Sequence, residues 1–281
     1  MSQNTKSYYL PGPSFWPLIA SIALFLLAGG FSMVLNKIAL GKPLMIAGAL
    51  TLAYLLFGWF SEVIKESVGK FYNKQVDKSF RWGMGWFIFS EVMFFFGFFG
   101  ALFYSRNVSL PWLADTHGLT GAHMLWQNFT ADWPSAGPSI KLEGAMKPWG
   151  LPAINTLLLL TSGVTLTWAH WGLMKNKRKQ IIIGLALTIA LGAAFLCLQY
   201  TEYSEAAFTI KSGIYGATFY MLTGFHGLHV TMGAIMLSII LIRVLKGHFD
   251  SDEHFGFEAV AWYWHFVDVV WLFLFIFVYW L

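Results

Sequence analysis

The sequence predicts an all-α polytopic membrane protein with seven transmembrane helices, and two observations carry that prediction. First, 57% of the 281 residues are hydrophobic and only 11% are charged, whereas about a quarter of the residues in a soluble domain are charged. Too few polar groups remain to cover a water-soluble core. Second, the apolar residues form runs of about 20, the length that crosses roughly 30 Å of hydrocarbon as a helix. We therefore expect residues 1–281 to form a single membrane domain.

Seven segments satisfy this length requirement: residues 15–36, 43–61, 81–105, 151–173, 181–203, 213–243 and 256–281. The first is too long for the apolar region of a cleaved signal peptide, so we expect it to be retained. The second is short and the sixth is long, differences that tilt or overhang can absorb. The longest connection, the outer loop 106–150, is rich in Pro and poor in charge, which indicates an ordered cap. It leaves no room for a separate soluble domain.

The distribution of positive charge predicts the orientation. Twelve of the 18 Lys and Arg residues fall on the side that carries the N-terminus. The excess of positive charge on cytoplasmic segments places that end inside and, with an odd number of spans, the C-terminus outside. The net charge of +4 is spread over the connections, a pattern that gives no reason to expect nucleic-acid binding. The single cysteine, Cys197, lies in an apolar run and indicates packing, not a disulfide or metal motif.

Glu91 is the carboxyl group that lies deepest in the predicted membrane. At 1.5 Å per residue it lies about 15 Å into the third span, and no basic residue occurs between Trp82 and Ser105. Burial favours its neutral acid unless a partner on another helix pairs with it. Two interpretations stay open: a protonated carboxyl bonded to a neighbouring helix, and a proton-linked or lipid-facing reactive site.

The sixth and seventh spans carry a second polar set. His226 and His229 are separated by three residues, as are His265 and Asp268, so each pair shares a helix face. The two spans are antiparallel, and His226 lies roughly 18 Å from one surface while His265 lies roughly 12 Å from the other. These depths coincide in a 30 Å core. Three His and one Asp can bind zinc or iron, but a structural hydrogen-bond network satisfies the same groups, and we expect no metal.

Other polar residues lie near the ends of the predicted spans. Depth places His170 at the inner interface and Glu202 at the outer one, with Gln199 on the same helix face as Glu202. Interfacial anchoring is the simpler interpretation for these residues. The basic segment between the second and third spans obeys the positive-inside rule, and its Arg81 beside Trp82 is suited to a phospholipid head group.

Several runs resemble one family, subunit III of cytochrome c oxidase, in the same order along the chain. The resemblance covers residues 15–105 and 150–281. The similar runs are Ser90–Phe99 (SEVMFFFGFF), Thr167–His170, Gln199 with Glu202–Tyr203, Thr223–His229 and the closing segment His254–Leu272.

The resemblance implies a subunit of an aa3-type oxidase that lies beside subunits I and II and has no catalytic residue or redox centre of its own. Haem a, haem a3 and copper would belong to partner subunits, and cytochrome c would be an indirect partner. It further implies two-helix and five-helix bundles around a lipid cleft, with phospholipid near Trp59, Glu66 and Arg81, and a carbodiimide-reactive carboxyl at Glu91. The expected role is to stabilise the catalytic subunit, hold lipid and support proton uptake in aerobic respiration.

Alternative functions are separated by specific features. A catalytic redox subunit would need adjacent His ligands or a Cys-rich copper domain, which the sequence lacks. A retinal pump would need a Lys in the last span, and residues 256–281 contain none. A proton-coupled transporter using Glu91 and the histidines stays open, although no inverted repeat is visible. A quinol oxidase subunit III is the nearest alternative, but such relatives often lack the first two helices. The length of loop 106–150 favours a bacterial plasma membrane over the mitochondrial inner membrane.

Overall fold

The computed structural model describes residues 9–10, 12–115, 118, 121–249 and 254–281. Within these ranges the chain forms helices and no strands. Seven of the described helices are long and apolar enough to cross a membrane. The prediction of an all-α fold with seven membrane helices is therefore confirmed, while the orientation of the termini stays a prediction.

We number the membrane helices α1 to α7. Their bounds are α1 Trp16–Leu35, α2 Gly41–Val68, α3 Lys74–Tyr104, α4 Leu151–Met174, α5 Arg178–Glu205, α6 Gly213–Leu245 and α7 Phe255–Leu274. Two of them continue beyond these bounds through π-helical turns. After α3, the turn Ser105–Ser109 leads into the short helix Leu110–Leu113, and after α7 the turn Phe275–Trp280 follows.

The largest boundary differences from the sequence prediction lie between α2 and α3. The second helix runs to Val68 where we expected its end at 61, and the third begins at Lys74 where we expected 81. Hydropathy marks where charged residues begin, but a helix continues into the head-group region because its backbone bonds are internal. Asn73 then starts α3: its side-chain Oδ1 accepts the backbone N–H groups of Gln75 and Val76 at 3.1 and 2.9 Å. This is an N-cap.

The described residues divide into two compact units, the first ending at Trp82 and the second running from Gly83 to Leu281. In the first unit α1 and α2 pack backbone against backbone. A Cβ added at Gly30 would lie 2.7 Å from the backbone N of Met45, and one at Gly41 would lie 2.6 Å from that of Val34. Small residues permit such a close approach of two helix backbones. In lipid, where no hydrophobic force drives helices together, the van der Waals packing that results helps them to associate.

The second unit is built around α7. In the most apolar 18-residue stretch of the last span, which contains α7, 50% of the residues are buried. The corresponding value is 11% for each of the first three spans, which contain α1, α2 and α3. Trp264 on α7 is fully buried, and its indole N–H donates to Ser162 Oγ on α4 at 2.9 Å. Its ring lies against Gly192 of α5 and Gly233 of α6, where an added Cβ would come within 2.6 and 2.8 Å of it. One tryptophan therefore joins four helices.

Candidate functional site within the membrane helices

Glu91 of α3 has a direct partner on another helix. Its Oε2 lies 2.8 Å from Nε2 of His229 on α6. The side chains of both residues are mostly covered, with 21% and 13% of their surfaces exposed. The other ring nitrogen of His229, Nδ1, lies 2.7 Å from the backbone oxygen of Phe225. The carboxyl group that had no visible partner in the sequence is thus paired in the fold.

These two bonds fix how many protons the pair holds. The Phe225 carbonyl can only accept, so Nδ1 of His229 carries a hydrogen and donates it. One further proton is then shared between Nε2 of His229 and Oε2 of Glu91. If it lies on the carboxyl, both groups are neutral, and if it lies on the ring, they form an ion pair with no net charge. In both cases the pair avoids an isolated charge in hydrocarbon, which would be costly.

Aromatic rings enclose this carboxyl–imidazole pair. The imidazole of His229 has its centroid 5.0 Å from Phe95 and 5.8 Å from Phe94, both on α3. On its other side Tyr263 of α7 is stacked at 6.3 Å with an interplanar angle of 15°. Apolar walls exclude water and strengthen the electrostatic interaction between the two groups.

The three histidines that we expected to form one network, His226, His229 and His265, have different partners in the structure. His226 is 1% exposed, and its Nε2 donates to the backbone oxygen of Val267 on α7 at 3.1 Å. His265 lies 3.7 Å from Asp268 through Nδ1 and 3.5 Å from Thr167 Oγ1 through Nε2. His229 pairs with Glu91, as described above. The matching depths of His226 and His265 thus do not bring these two rings into contact.

The helix-end residues also differ in their surroundings. Gln199 and Glu202 of α5 are 5% and 2% exposed, so they lie in the interior of the second unit and not at an open interface. His170 of α4 lies beside two residues at the start of α7, with its Nε2 3.8 Å from Oε1 of Glu258. His254, which immediately precedes α7, has its Nε2 3.4 Å from the same Oε1 atom of Glu258. Our sequence reasoning missed this cluster, although the i, i+4 spacing of His254 and Glu258 was a visible signal.

Within the first unit, Glu66 is the centre of a polar cluster at the end of α2. Its Oε1 accepts the hydroxyl of Tyr9 at 2.7 Å, and its Oε2 accepts that of Tyr72 at 2.6 Å. Nearby on α3, Nε of Arg81 donates to Asp77 at 2.8 Å, with about a third of the Arg81 side chain exposed. Trp59 is 48% exposed. The three residues predicted to contact lipid thus include one exposed ring and two charged groups that have protein partners.

The Glu66 cluster predicts a pH effect at Tyr72, which lies in the connection between α2 and α3. Burial, and then its hydrogen bond to Glu66, raise the pKa of Tyr72 above the ordinary value of 10.0. The stabilisation that this shift contributes is complete below pH 10 and is lost as the pH rises through the folded-state pKa. Glu66→Ala should therefore lower the pKa of Tyr72.

The measurement is the ultraviolet difference between the wild type and Tyr72→Phe, which isolates one phenolate during alkaline titration. We expect this difference to appear at lower pH when Glu66→Ala is present in both proteins. As a control, Glu205→Ala, which removes an exposed carboxyl at the end of α5, should leave the Tyr72 difference unchanged. An unchanged titration of Tyr72 in Glu66→Ala would contradict the prediction.

Together the fold and these sites define a class: a polytopic integral membrane protein with a paired carboxyl and imidazole inside its helices. The family model described as cytochrome c oxidase subunit III matches residues 6–281. The chain is 44% identical to the cytochrome c oxidase subunit 3 of Hippopotamus amphibius over 281 residues. It is 43% identical to those of Sus scrofa and Danio rerio. Each comparison covers 100% of this chain and 99% of the relative.

The chain belongs to the cytochrome c oxidase subunit III family. The resemblance seen in the sequence motifs is confirmed over nearly the whole chain. The protein is accordingly a subunit of a multi-subunit oxidoreductase complex, with the membrane location and respiratory role that are consistent with this family.

Proposed function

We propose that this chain is a non-redox core subunit of an aa3-type cytochrome c oxidase. Subunits I and II are its direct partners, and they hold haem a, haem a3 and copper. Those groups would supply the electron transfer from cytochrome c to oxygen. The role of this chain is to stabilise the catalytic subunit, to hold phospholipid and to keep proton uptake fast.

The observation that carries this proposal is the pairing of Glu91 with His229 in a chain of this family. The pair holds one proton between two atoms 2.8 Å apart, in surroundings where a lone charge is unfavourable. A shift of that proton from oxygen to nitrogen needs no change in total charge. Such a pair can hold a proton, and it can also stabilise the contact of α3 with α6. Both roles are compatible with a subunit that supports proton delivery.

Phospholipid binding is proposed at the end of the first unit where α2 leads into α3. The exposed indole of Trp59 is suited to the interface, and the partly exposed guanidinium of Arg81 is suited to a phosphate. Glu66 contributes indirectly, because it holds Tyr9 and Tyr72 in place. Basic residues at this depth are attracted to anionic lipid.

We propose the bacterial plasma membrane as the location, with the N-terminus inside. The support is the long connection after α3 and the excess of Lys and Arg on the proposed inner side. The mitochondrial inner membrane is the alternative, and the animal sources of the relatives named above favour it. The sequences of the co-purifying oxidase subunits would decide between the two.

The test is to remove this subunit from the purified oxidase and to rebuild the complex with chosen variants. The depleted complex is expected to take up protons more slowly and to lose activity earlier during repeated turnover. Adding back the wild-type chain should restore both properties. Glu91→Gln should restore the lifetime but not the rate of proton uptake, because an amide cannot exchange its proton with His229.

The matched control is Glu205→Gln, since Glu205 is an exposed carboxyl at the end of α5 and should restore both properties. A depleted complex with unchanged rate, lifetime and proton uptake would refute the proposed role. Full proton uptake with Glu91→Gln would assign the Glu91 pair to structure alone.

A further inference from the structure

Four buried polar side chains lie in the second unit near the start of α4 and the end of α5. They are Asn155 on α4, Gln199 and Glu202 on α5, and Tyr279 in the π-helical turn after α7. Their exposed fractions are 0%, 5%, 2% and 5%. Both amide atoms of Asn155 and Gln199, both carboxyl oxygens of Glu202 and the hydroxyl of Tyr279 have no hydrogen-bond partner among the described residues. Buried polar atoms in folded proteins nearly always have one.

The register of α4 against α5 brings the two amides together. The hydroxyls of Thr165 on α4 and Thr188 on α5 lie 2.8 Å apart. Extending this antiparallel register by about three turns places Asn155 level with residue 198, beside Gln199. Asn155 also lies seven residues, close to two full turns, before Ser162. The backbone oxygen of Ser162 accepts the hydroxyl of Thr188 at 3.4 Å, so Asn155 lies on the side of α4 that faces α5.

Tyr279 brings the end of the chain to the same place. Its hydroxyl approaches both Glu202 and Gln199 but forms a well-aligned bond with neither. Its ring lies 5.8 Å from that of Trp271 on α7. The indole N–H of Trp271 donates to the hydroxyl of Thr156 at 2.9 Å, one residue after the buried amide of α4. The four polar side chains therefore converge, and we call them the buried polar cluster.

Aromatic residues and the loop 106–150 close off the buried polar cluster. Phe219 of α6 is fully buried, with its ring 5.4 Å from that of Tyr279. Tyr215, one turn earlier on α6, is 3% exposed, and its hydroxyl accepts the backbone N–H of Met146 in the loop at 3.1 Å. Partners for the polar cluster must therefore be small enough to fit inside the protein.

We propose that the buried polar cluster binds about two ordered water molecules. Two amides supply N–H donors and C=O acceptors, and a carboxyl and a phenol add further acceptors and donors. Water can both donate and accept, and a buried water molecule typically forms about three bonds to otherwise unsatisfied groups. A hard cation such as Na⁺ or Ca²⁺ would bind only the oxygens and would leave the amide N–H groups without acceptors.

The bound water links the start of α4, the end of α5 and the turn after α7. These three segments are joined through their polar side chains without any direct bond between those side chains. The cluster is separate from the Glu91–His229 pair, and the proposal does not depend on the proposed function.

The first experiment is a structure of the intact oxidase that contains this chain, at a resolution that shows ordered water. We expect solvent density at hydrogen-bond distance, about 2.5–3.2 Å, from Asn155, Gln199 and Glu202. Direct bonds among these side chains with no solvent density between them would overturn the proposal. Density with the short distances and all-oxygen coordination of a cation would also overturn it.

A second experiment compares Asn155→Ala with Asn155→Leu by thermal unfolding of the full-length chain in detergent. Alanine leaves space in which a further water molecule can replace the amide, whereas leucine fills that space with carbon and leaves Gln199 and Glu202 without bonds. We expect the midpoint of Asn155→Ala to lie above that of Asn155→Leu by about 2 °C or more, the shift that about 1 kcal/mol gives in a chain of this size.

The matched control is Leu159, which is 1% exposed and lies one turn further along α4. At this apolar position the order should be reversed, because Leu159→Ala opens a dry cavity and should lower the midpoint below that of the wild-type leucine. A smaller difference at position 155, or the same order at both positions, would overturn the proposal. The structure determination needs no variant, so it decides the question even if Asn155→Leu does not fold.

Discussion

Trp264→Ala is expected to destabilise the second unit by about 3–5 kcal/mol, the range for removing a buried large aromatic side chain. Trp264 is fully buried and donates its indole N–H to Ser162 on α4. The ring fills the space that Gly192 and Gly233 leave on α5 and α6. Alanine would leave a cavity at the junction of four helices, because helix backbones in contact with many neighbours relax only in part. Lipid provides no hydrophobic force to compensate for the lost packing.

The measurement is the loss of helical circular dichroism as the detergent-solubilised protein is unfolded with denaturant. Trp262→Ala is the matched control, since Trp262 is two residues away on α7 and 36% exposed. We expect that control to cost about 0.5 kcal/mol or less, as for other surface substitutions. Equal costs for the two alanine variants would show that the four-helix junction does not depend on Trp264.

The membrane helices could be predicted from sequence because one quantity, the length of apolar runs, determines them. All seven spans were found in this way. The end of α2 and the start of α3 were not predicted correctly. Charged residues such as Lys65 and Lys74 end the apolar run, but they still belong to the helices. The N-cap at Asn73 is the local signal that would have placed the start of α3.

The polar sites were predictable only in part. The sequence gives the depth of a residue along its helix, but a contact also depends on how each helix is rotated and on which helices are neighbours. His226 and His229 share a face by spacing, yet three residues turn a helix by 300°, which leaves about 60° between them. That angle is enough for His226 to reach α7 while His229 reaches α3. The rotation of each helix depends on packing around residues such as Trp264, which no single helix sequence specifies.

The Glu91–His229 pair gives the second large effect, and we expect it to be strongly non-additive. Glu91→Leu alone leaves Nε2 of His229 without its partner inside the membrane helices and should cost about 1–3 kcal/mol. His229→Leu alone leaves the Glu91 carboxyl in the same position and should cost a similar amount. The double variant replaces both groups by apolar ones, a change that is often neutral for buried pairs. The double variant should therefore be more stable than the sum of the single effects by about 1–2 kcal/mol, near the upper end measured between membrane helices.

The free energy of unfolding of the wild type, both single variants and the double variant would measure this coupling. Glu205→Leu, combined with His229→Leu in the same way, should show additive effects because Glu205 is exposed. Glu91→Gln should cost little, since the amide N–H can still donate to Nε2 of His229. Additive costs for Glu91→Leu and His229→Leu would mean that the 2.8 Å contact contributes nothing to stability. A coupling as large as expected, together with slow proton uptake in Glu91→Gln, would show that one shared proton serves both the α3–α6 contact and proton delivery.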